Sequence, residues 1–383
     1  MAEKKTFIPY GRQSISQDDI DAVVAVLQSD WLTTGPAVEA FERGICDFVG
    51  TSHAVAVSSG TAALHTAMYA LGLGAGDEVI VPPMTFAATA NAILYVGATP
   101  VFADVESASL LLCPEAVEQK ITNRTRAIIA VDYAGQPCDY TALRALADKH
   151  DLFLVADACH SLGASYCGKM CGSLADLSVF SFHPVKPITT AEGGMIVTER
   201  LDLADKMRTF RSHGITTDHR QRSETGIWFY EMTELGFNYR LSDLQCALGM
   251  SQLQRLPEMI ARRQQIAAAY DKAFRGSLIC PLQVRPDVSH GYHLYVVRLP
   301  ERDRTFTLMR EAGIGVNLHY IPVHLHPFYR QRFANATGMC PVAEQAFTEI
   351  LSLPIFPSMT DQDVEQVINT LDDAGCLRGM PCP

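Results

Sequence analysis

Ala127-Ile128-Ile129-Ala130-Val131 and Leu152-Phe153-Leu154-Val155-Ala156-Asp157 are two apolar runs separated by a helical pattern over residues 140–149. Neither run alternates apolar with polar residues, as strands with one solvated face do, so both read as strands buried on two sides. A strand, a helix and a second buried strand in this order make a crossover unit with parallel strands. The same grammar extends outward. Residues 54–57, 78–81, 100–103 and 177–180 read as further buried strands, and 62–71 and 87–95 as helices between them. The expected fold is α/β, with a mostly parallel central sheet covered by helices and ligand-binding residues at the carboxyl ends of its strands.

Further along, residues 193–197 suggest another strand, 201–211 a helix, and 241–273 a long helical stretch that Pro257 interrupts or bends. Beyond residue 278 the pattern changes. Strands over 290–299 and 315–319 and helices over 304–312, 342–351 and 361–371 imply a smaller α+β domain, which divides the chain into 1–275 and 276–383.

The chain has 383 residues, 48% of them hydrophobic, enough for a large buried core. Its formal net charge of −11 argues against a broad nucleic-acid or anionic-membrane surface. The N-terminus lacks the apolar stretch of a signal peptide, and no segment runs apolar for the ~20 residues of a membrane span, so a cytoplasmic protein is expected. Eleven cysteines, scattered and without C-x-x-C pairs, suggest reduced thiols and no zinc site.

Four segments near the expected strand ends carry chemistry. Ser58-Ser59-Gly60-Thr61 precedes the helix starting near Ala62. Small residues at a helix N-terminus let amides approach a phosphate, although an ordinary cap accounts for the same residues. Asp157 closes a strand, where a carboxylate can pair with a protonated pyridine nitrogen or cap a helix. Lys186 lies in Ser181-Phe182-His183-Pro184-Val185-Lys186-Pro187-Ile188-Thr189-Thr190-Ala191-Glu192-Gly193-Gly194. Most lysines are simply solvated, but one partly buried between prolines can form an imine with an aldehyde. Gly236-Phe237-Asn238-Tyr239-Arg240-Leu241-Ser242-Asp243 offers Asn238 and Arg240 to phosphate oxygens, or Ser242 and Asp243 as caps. In combination they suit one cofactor with an aldehyde, a pyridine ring and a phosphate: pyridoxal 5'-phosphate (PLP).

With these segments the chain resembles the DegT/StrS group of fold-type-I PLP aminotransferases acting on nucleotide sugars. The likeness runs from Ile8-Pro9-Tyr10 and Leu32-Thr33-Thr34-Gly35-Pro36 to His319-Tyr320-Ile321-Pro322. It implies that Lys186 bonds the cofactor's aldehyde and that Asp157 faces the ring nitrogen. Phe86, in Met84-Thr85-Phe86-Ala87-Ala88-Thr89, matches the aromatic that stacks on the ring, and His160 a histidine beside it. Gly60, Thr61 and Ser181 match phosphate-binding positions, with Ser59 in the same turn. Asn238 matches a residue that reaches the phosphate of the neighbouring subunit, which implies a homodimer with shared active sites.

Within the group, Thr189-Thr190-Ala191-Glu192-Gly193-Gly194 resembles enzymes that aminate C4 of the sugar. The fuller run from Ser181, with Val131-Asp132-Tyr133-Ala134-Gly135 and Phe210-Arg211-Ser212-His213-Gly214, is similar to the pseudaminic acid branch. That likeness implies glutamate as donor and a UDP-linked 4-keto-6-deoxy N-acetyl sugar as acceptor, with a 4-keto-pentose or 3-keto sugar as alternatives. Thr34, Arg240 and Tyr320 are the substrate-side candidates.

An NAD(P)-dependent sugar oxidoreductase fits the fold class less well in detail. Gly72, Gly74 and Gly76 precede a strand rather than follow one, and their spacing is not G-x-G-x-x-G. His319, His324 and His326 match no zinc spacing, and Pro322 and Pro327 make that stretch extended, so no metal is expected. Related sugar dehydratases replace the lysine that this chain keeps.

Overall fold

The structure is a computed structural model that describes residues 7–217, 220, 222, 226–333 and 337–377. The first six residues, which bear on the leader reading, lie outside these.

Seven strands form the central sheet: β1 (His53–Val57), β2 (Glu78–Val81), β3 (Thr99–Phe102), β4 (Thr125–Val131), β5 (Phe153–Asp157), β6 (Leu177–Ser181) and β7 (Gly194–Thr198). Their spatial order is β1-β7-β6-β5-β4-β2-β3. All pairings are parallel except those of β7, which runs antiparallel between β1 and β6. Val79, Ile80, Ile128, Ile129, Leu154 and Val155 are fully buried, as unalternating apolar runs require. The helix Gly60–Ala70 buries nine of its eleven residues against this sheet and its neighbours, which is why its sequence is apolar nearly all round.

The helix Asp243–Phe274 runs unbroken through Pro257. Ser242 and Gln245 close a capping box at its start, so it begins two residues later than the apolar pattern suggests. A mid-helix proline loses one backbone bond and costs about 3 kcal/mol. Burial on both sides of it offsets that cost: Cys246, Leu253, Leu256, Met259 and Ile260 join the core around the large sheet, and Ile266, Ala267, Tyr270 and Phe274 join a second core. That second core surrounds a three-stranded antiparallel sheet of Cys280–Pro281, Tyr295–Arg298 and Ile350–Leu353. Ile8 also belongs to it, through a parallel bridge to Ile314.

Three sequence expectations fail locally. Residues 290–299 are not one strand. Val288–Ser289 pairs with Ser165–Tyr166, Tyr295–Arg298 with the second sheet, and the stretch between docks on the turn after β4 through Gly291 N–H to Gly135 O and Leu294 N–H to Ala134 O. The helix expected over 342–351 is Pro341–Glu349, after which Ile350–Leu353 becomes a strand. Residues 315–319 make a single bridge, Asn317 pairing with Ser352. Cys280, moreover, is disulfide-bonded rather than a free thiol. Among the described residues no helix is long and apolar enough to cross a membrane.

Candidate active site

The carboxyl ends of β1, β5 and β6 open on one cavity of about 580 Å³. Its wall includes Ser59, Gly60, Thr61, Phe86, Asp157, His160, Ser181, Lys186 and Tyr320, nine of the twelve residues singled out from the sequence. Thr34, Asn238 and Arg240 do not line it.

The first turn of Gly60–Ala70 makes an anion cradle. Ser59 caps the helix, its Oγ accepting from Ala62 N–H at 3.0 Å, while the Gly60 and Thr61 amides have no acceptor within the helix. A Cβ added at Gly60 would stand 2.9 Å from Ser181 Cβ, and one at Gly194 2.4 Å from Ser59 O. Glycine is therefore required at both positions by close approach rather than by dihedral freedom.

Lys186 sits in a turn held by its own amide donating to His183 O at 2.9 Å, with Phe182 and Gly193 closing the base of the loop. Burial, the largest influence, lowers its amine from the ordinary lysine value, opposed by Cys159 and Asp157. Burial also holds the Cys159 thiol well above its ordinary value, so the thiol stays protonated and the carboxylate beside the amine is that of Asp157.

Asp157 is 5% exposed at the end of β5. Its Oδ2 accepts from Thr89 Oγ1 at 2.7 Å and its Oδ1 from Cys159 N–H at 3.3 Å, and Thr85 Oγ1 lies 2.7 Å from Thr89 Oγ1. Phe86 caps the helix Ala87–Tyr95 and turns a 61% exposed ring to the cavity, 6.1 Å from the Tyr320 ring.

Behind these lie three imidazoles. His160 Nε2 is 3.1 Å from Tyr320 Oη, and its ring centroid is 4.4 Å from that of His293. Burial first, then Lys186, keeps both histidines far below the ordinary imidazole value, so both are uncharged at neutral pH. His319 is pushed down to about 3 by burial and Lys186, with its Nδ1 2.8 Å from Ser352 Oγ. Burial and the neighbouring phenol Tyr133 hold Tyr320 far above the usual tyrosine range, as a proton donor.

Thr34 is a half-buried residue with φ 54° beside the start of the long helix, where Asp243 accepts from Gly35 and Ala37 amides at 2.8 and 2.9 Å. Asn238 is exposed and bridges to Ser212. Burial and then Arg211 lower the Arg240 guanidinium. Tyr10, Thr85, His293 and His319 reach the cavity but were not among the sequence candidates. Thr85 and Thr89 share the stretch that singled out Phe86, and their i,i+4 spacing was a usable signal. His293 lay hidden inside a misassigned strand.

The wall tests well against PLP. It holds an amine lowered by burial, a carboxylate at a strand end, an exposed ring and a cradle that any Cβ at Gly60 would fill.

Comparison with known proteins agrees. The profile of the DegT/DnrJ/EryC1/StrS aminotransferase family matches residues 13–372. The spore coat polysaccharide biosynthesis protein SpsC of Bacillus subtilis (strain 168) is 42% identical over 97% of this chain and 98% of its own. Spr1654 from Streptococcus pneumoniae, in its PLP-form, superposes with a TM-score of 0.90 at 33% identity over 96% of this chain and 98% of its own. Helicobacter pylori PseC, an aminotransferase involved in the biosynthesis of pseudoaminic acid, gives a TM-score of 0.89 at 33% identity over 96% and 99%. The chain thus belongs to the DegT/DnrJ/EryC1/StrS aminotransferase family and is a PLP-dependent sugar aminotransferase.

Proposed function

We propose that this chain moves an amino group from glutamate to the C4 ketone of a UDP-linked 4-keto-6-deoxy N-acetyl sugar, as in pseudaminic acid biosynthesis, and works as a homodimer with shared active sites. The observation that carries the amine-transfer part is Lys186, its amine lowered by burial beside Asp157 on the cavity wall.

PLP, when bound, supplies an aldehyde for the travelling amine and a ring that withdraws electrons from the carbon losing its proton. Lys186 Nζ would hold the cofactor through its aldehyde, and as a free amine the same nitrogen would act as the base that takes the donor's α-proton and returns a proton on the acceptor side. Asp157 would keep a proton on the ring nitrogen. Gly60 and Thr61 amides and the Ser181 hydroxyl would hold the phosphate, with Asn238 contributed by the second subunit. Phe86 would pack on the ring, and His160, 3.1 Å from Tyr320 Oη, would serve as a neutral neighbour. Thr34, Arg240 and Tyr320 contact the sugar nucleotide.

The acceptor assignment rests on the likeness of residues 181–194 to the pseudaminic acid branch and on the similarity to PseC. A second reading has its own support. Identity to SpsC is higher, 42% against 33%, which favours a keto sugar bound for a polysaccharide. The shared-site dimer is supported by the exposed run Ile227, Trp228, Phe229 and Tyr230, with Leu235 and Phe237, next to Asn238. The division into domains 1–275 and 276–383 is supported by the two cores that the long helix joins.

The test offers glutamate with each UDP-linked keto sugar and follows 2-oxoglutarate release. The 4-keto-6-deoxy N-acetyl sugar should turn over at least ~100-fold faster than a 3-keto isomer, because moving the reacting carbon misplaces it relative to Lys186. Equal turnover of the two, or activity confined to a pentose, overturns the acceptor assignment and leaves the amine chemistry standing.

A further inference from the structure

We infer that Thr89 is a positioning residue for Asp157, and that a fixed order of protons runs from Thr85 through Thr89 to the carboxylate, leaving Thr85 Oγ1 as an acceptor toward the cavity. The inference rests on the reading that Asp157 pairs with the cofactor's ring nitrogen.

The argument is proton counting. An ionised carboxylate only accepts, and a threonine hydroxyl has one proton to give. Thr89 Oγ1 lies 2.7 Å from Asp157 Oδ2, so its proton goes there. The 2.7 Å contact between Thr85 Oγ1 and Thr89 Oγ1 can then be a hydrogen bond only if Thr85 donates. Thr85, its proton committed, has lone pairs left for a donor on a bound molecule, and it is part of the cavity wall. Were Asp157 protonated, the order would reverse and Thr85 would be free to donate.

Location supports a role beyond packing. A buried threonine in a helix usually turns its hydroxyl back to the carbonyl four residues earlier. Thr89 instead serves a carboxylate 68 positions away in the chain. Thr85 and Thr89 are 2% and 1% exposed, so water does not readily take either place. Cys159 N–H approaches the other oxygen of the same carboxylate at 3.3 Å. Two donors, one on each oxygen, fix the orientation of the carboxyl group, and an oriented carboxylate is what can hold a proton on a pyridine nitrogen. The other titratable groups coupled to it are the Lys186 amine, the Asp132 carboxyl, pushed up to about 6 chiefly by burial, and the protonated Cys159 and Tyr320.

The experiment uses holoenzyme carrying PLP labelled with 15N in the ring. In Thr89→Val the ring-nitrogen resonance should move toward the unprotonated pyridine position, and the half-reaction with glutamate should slow about 10- to 100-fold, the worth of one hydrogen bond to a charged group. Thr89→Ser, which keeps the hydroxyl, should restore both. Thr85→Val keeps the bond between Thr89 and Asp157, so the resonance should stay and the rate fall only a few-fold. Thermal unfolding, followed in parallel, separates packing loss from these effects, and Thr89→Ala carries the comparison if the valine variant does not fold. An unmoved resonance in Thr89→Val, with Asp157→Asn shifting it, overturns the inference alone, as does a Thr85→Val shift equal to that of Thr89→Val. A resonance unmoved by Asp157→Asn overturns the reading of Asp157 and this inference with it.

Discussion

The strand-end wall of the cavity and the loop over residues 226–240 are built in opposite ways. On the wall, the carboxylate and the glycines of the cradle are held from several sides. Asp157 is fixed by β5, Thr89 and the Cys159 amide, and Gly60 and Gly194 are pinned by Ser181 and Ser59 at distances no side chain could share. In the loop, Trp228 is 86% exposed and Leu235 77%, a contiguous apolar surface that one chain alone leaves in water. The contrast teaches where one chain is self-sufficient: the buried amine, the strand-end carboxylate and the anion cradle share one wall, whereas the loop presents apolar side chains for which the same chain supplies no cover.

The sharpest way to break this comparison is at Lys186. If the strand-end wall carries the whole chemistry, Lys186→Ala should lower turnover by about 10⁴-fold or more, since one nitrogen serves as both the bonding amine and the base. Borohydride reduction of the wild-type enzyme should fix the cofactor on Lys186 alone, as peptide mapping would read. An adduct on another lysine, or a variant within about 10-fold of wild type, would move the centre away from the wall.

A second, smaller effect tests how dry the protein is behind and beside the wall. His160, His290, His293 and His319 are all buried and pushed down by that burial, His290 and His319 to about 3. In the unfolded chain each titrates near ~6.5. Below that pH the unfolded state binds protons that the folded state refuses, so stability is full above it and falls as the pH drops toward the folded values. At pH 5 each such histidine costs about 2 kcal/mol. Urea unfolding from pH 7 to 5 should show the loss, and His290→Gln, outside the main cavity, should reduce the slope by about one proton, ~1.4 kcal/mol per pH unit. An unchanged slope in that variant would mean that His290 itself is wetter than its burial implies.

The same contrast explains what could be read from the sequence. Asp157 was legible because an apolar run with no polar alternation reads as a buried strand, at whose end a carboxylate can face a ligand or cap a helix, and the three other segments together chose between the two. Lys186 was legible because two prolines and two flanking strands leave it little solvent. The stretch from His290 to Leu299 was not, because its apolar residues suit one strand equally well. What breaks it is docking of Gly291 and Leu294 on Gly135 and Ala134, a contact between segments more than 150 positions apart. The same holds for residues 342–351, where pairing of Ile350–Leu353 with Tyr295–Arg298 overrides a helical pattern. Thr89 shows a third case: its spacing from Thr85 was visible, but its partner Asp157 is set by sheet order alone.

The smallest effect bears on the loop face itself. If Asn238 serves the phosphate of a second subunit, a Lys186→Ala chain and an Asn238→Ala chain, each impaired alone, should complement when mixed and allowed to exchange subunits. A hybrid dimer pairs the intact Lys186 of one chain with the intact Asn238 of the other at one of its two sites, and leaves both residues missing at the second. Random exchange makes about half of all dimers hybrid, so about a quarter of the sites become whole. Recovered activity near that fraction, rising with the measured hybrid population, is the expected result. Asn238 is exposed and absent from the cavity of its own chain, so a role within one subunit predicts no recovery at all. Hybrids demonstrated by mass with activity no greater than the sum of the two parents would sink the shared site, and the apolar face around Trp228 would then need some other cover.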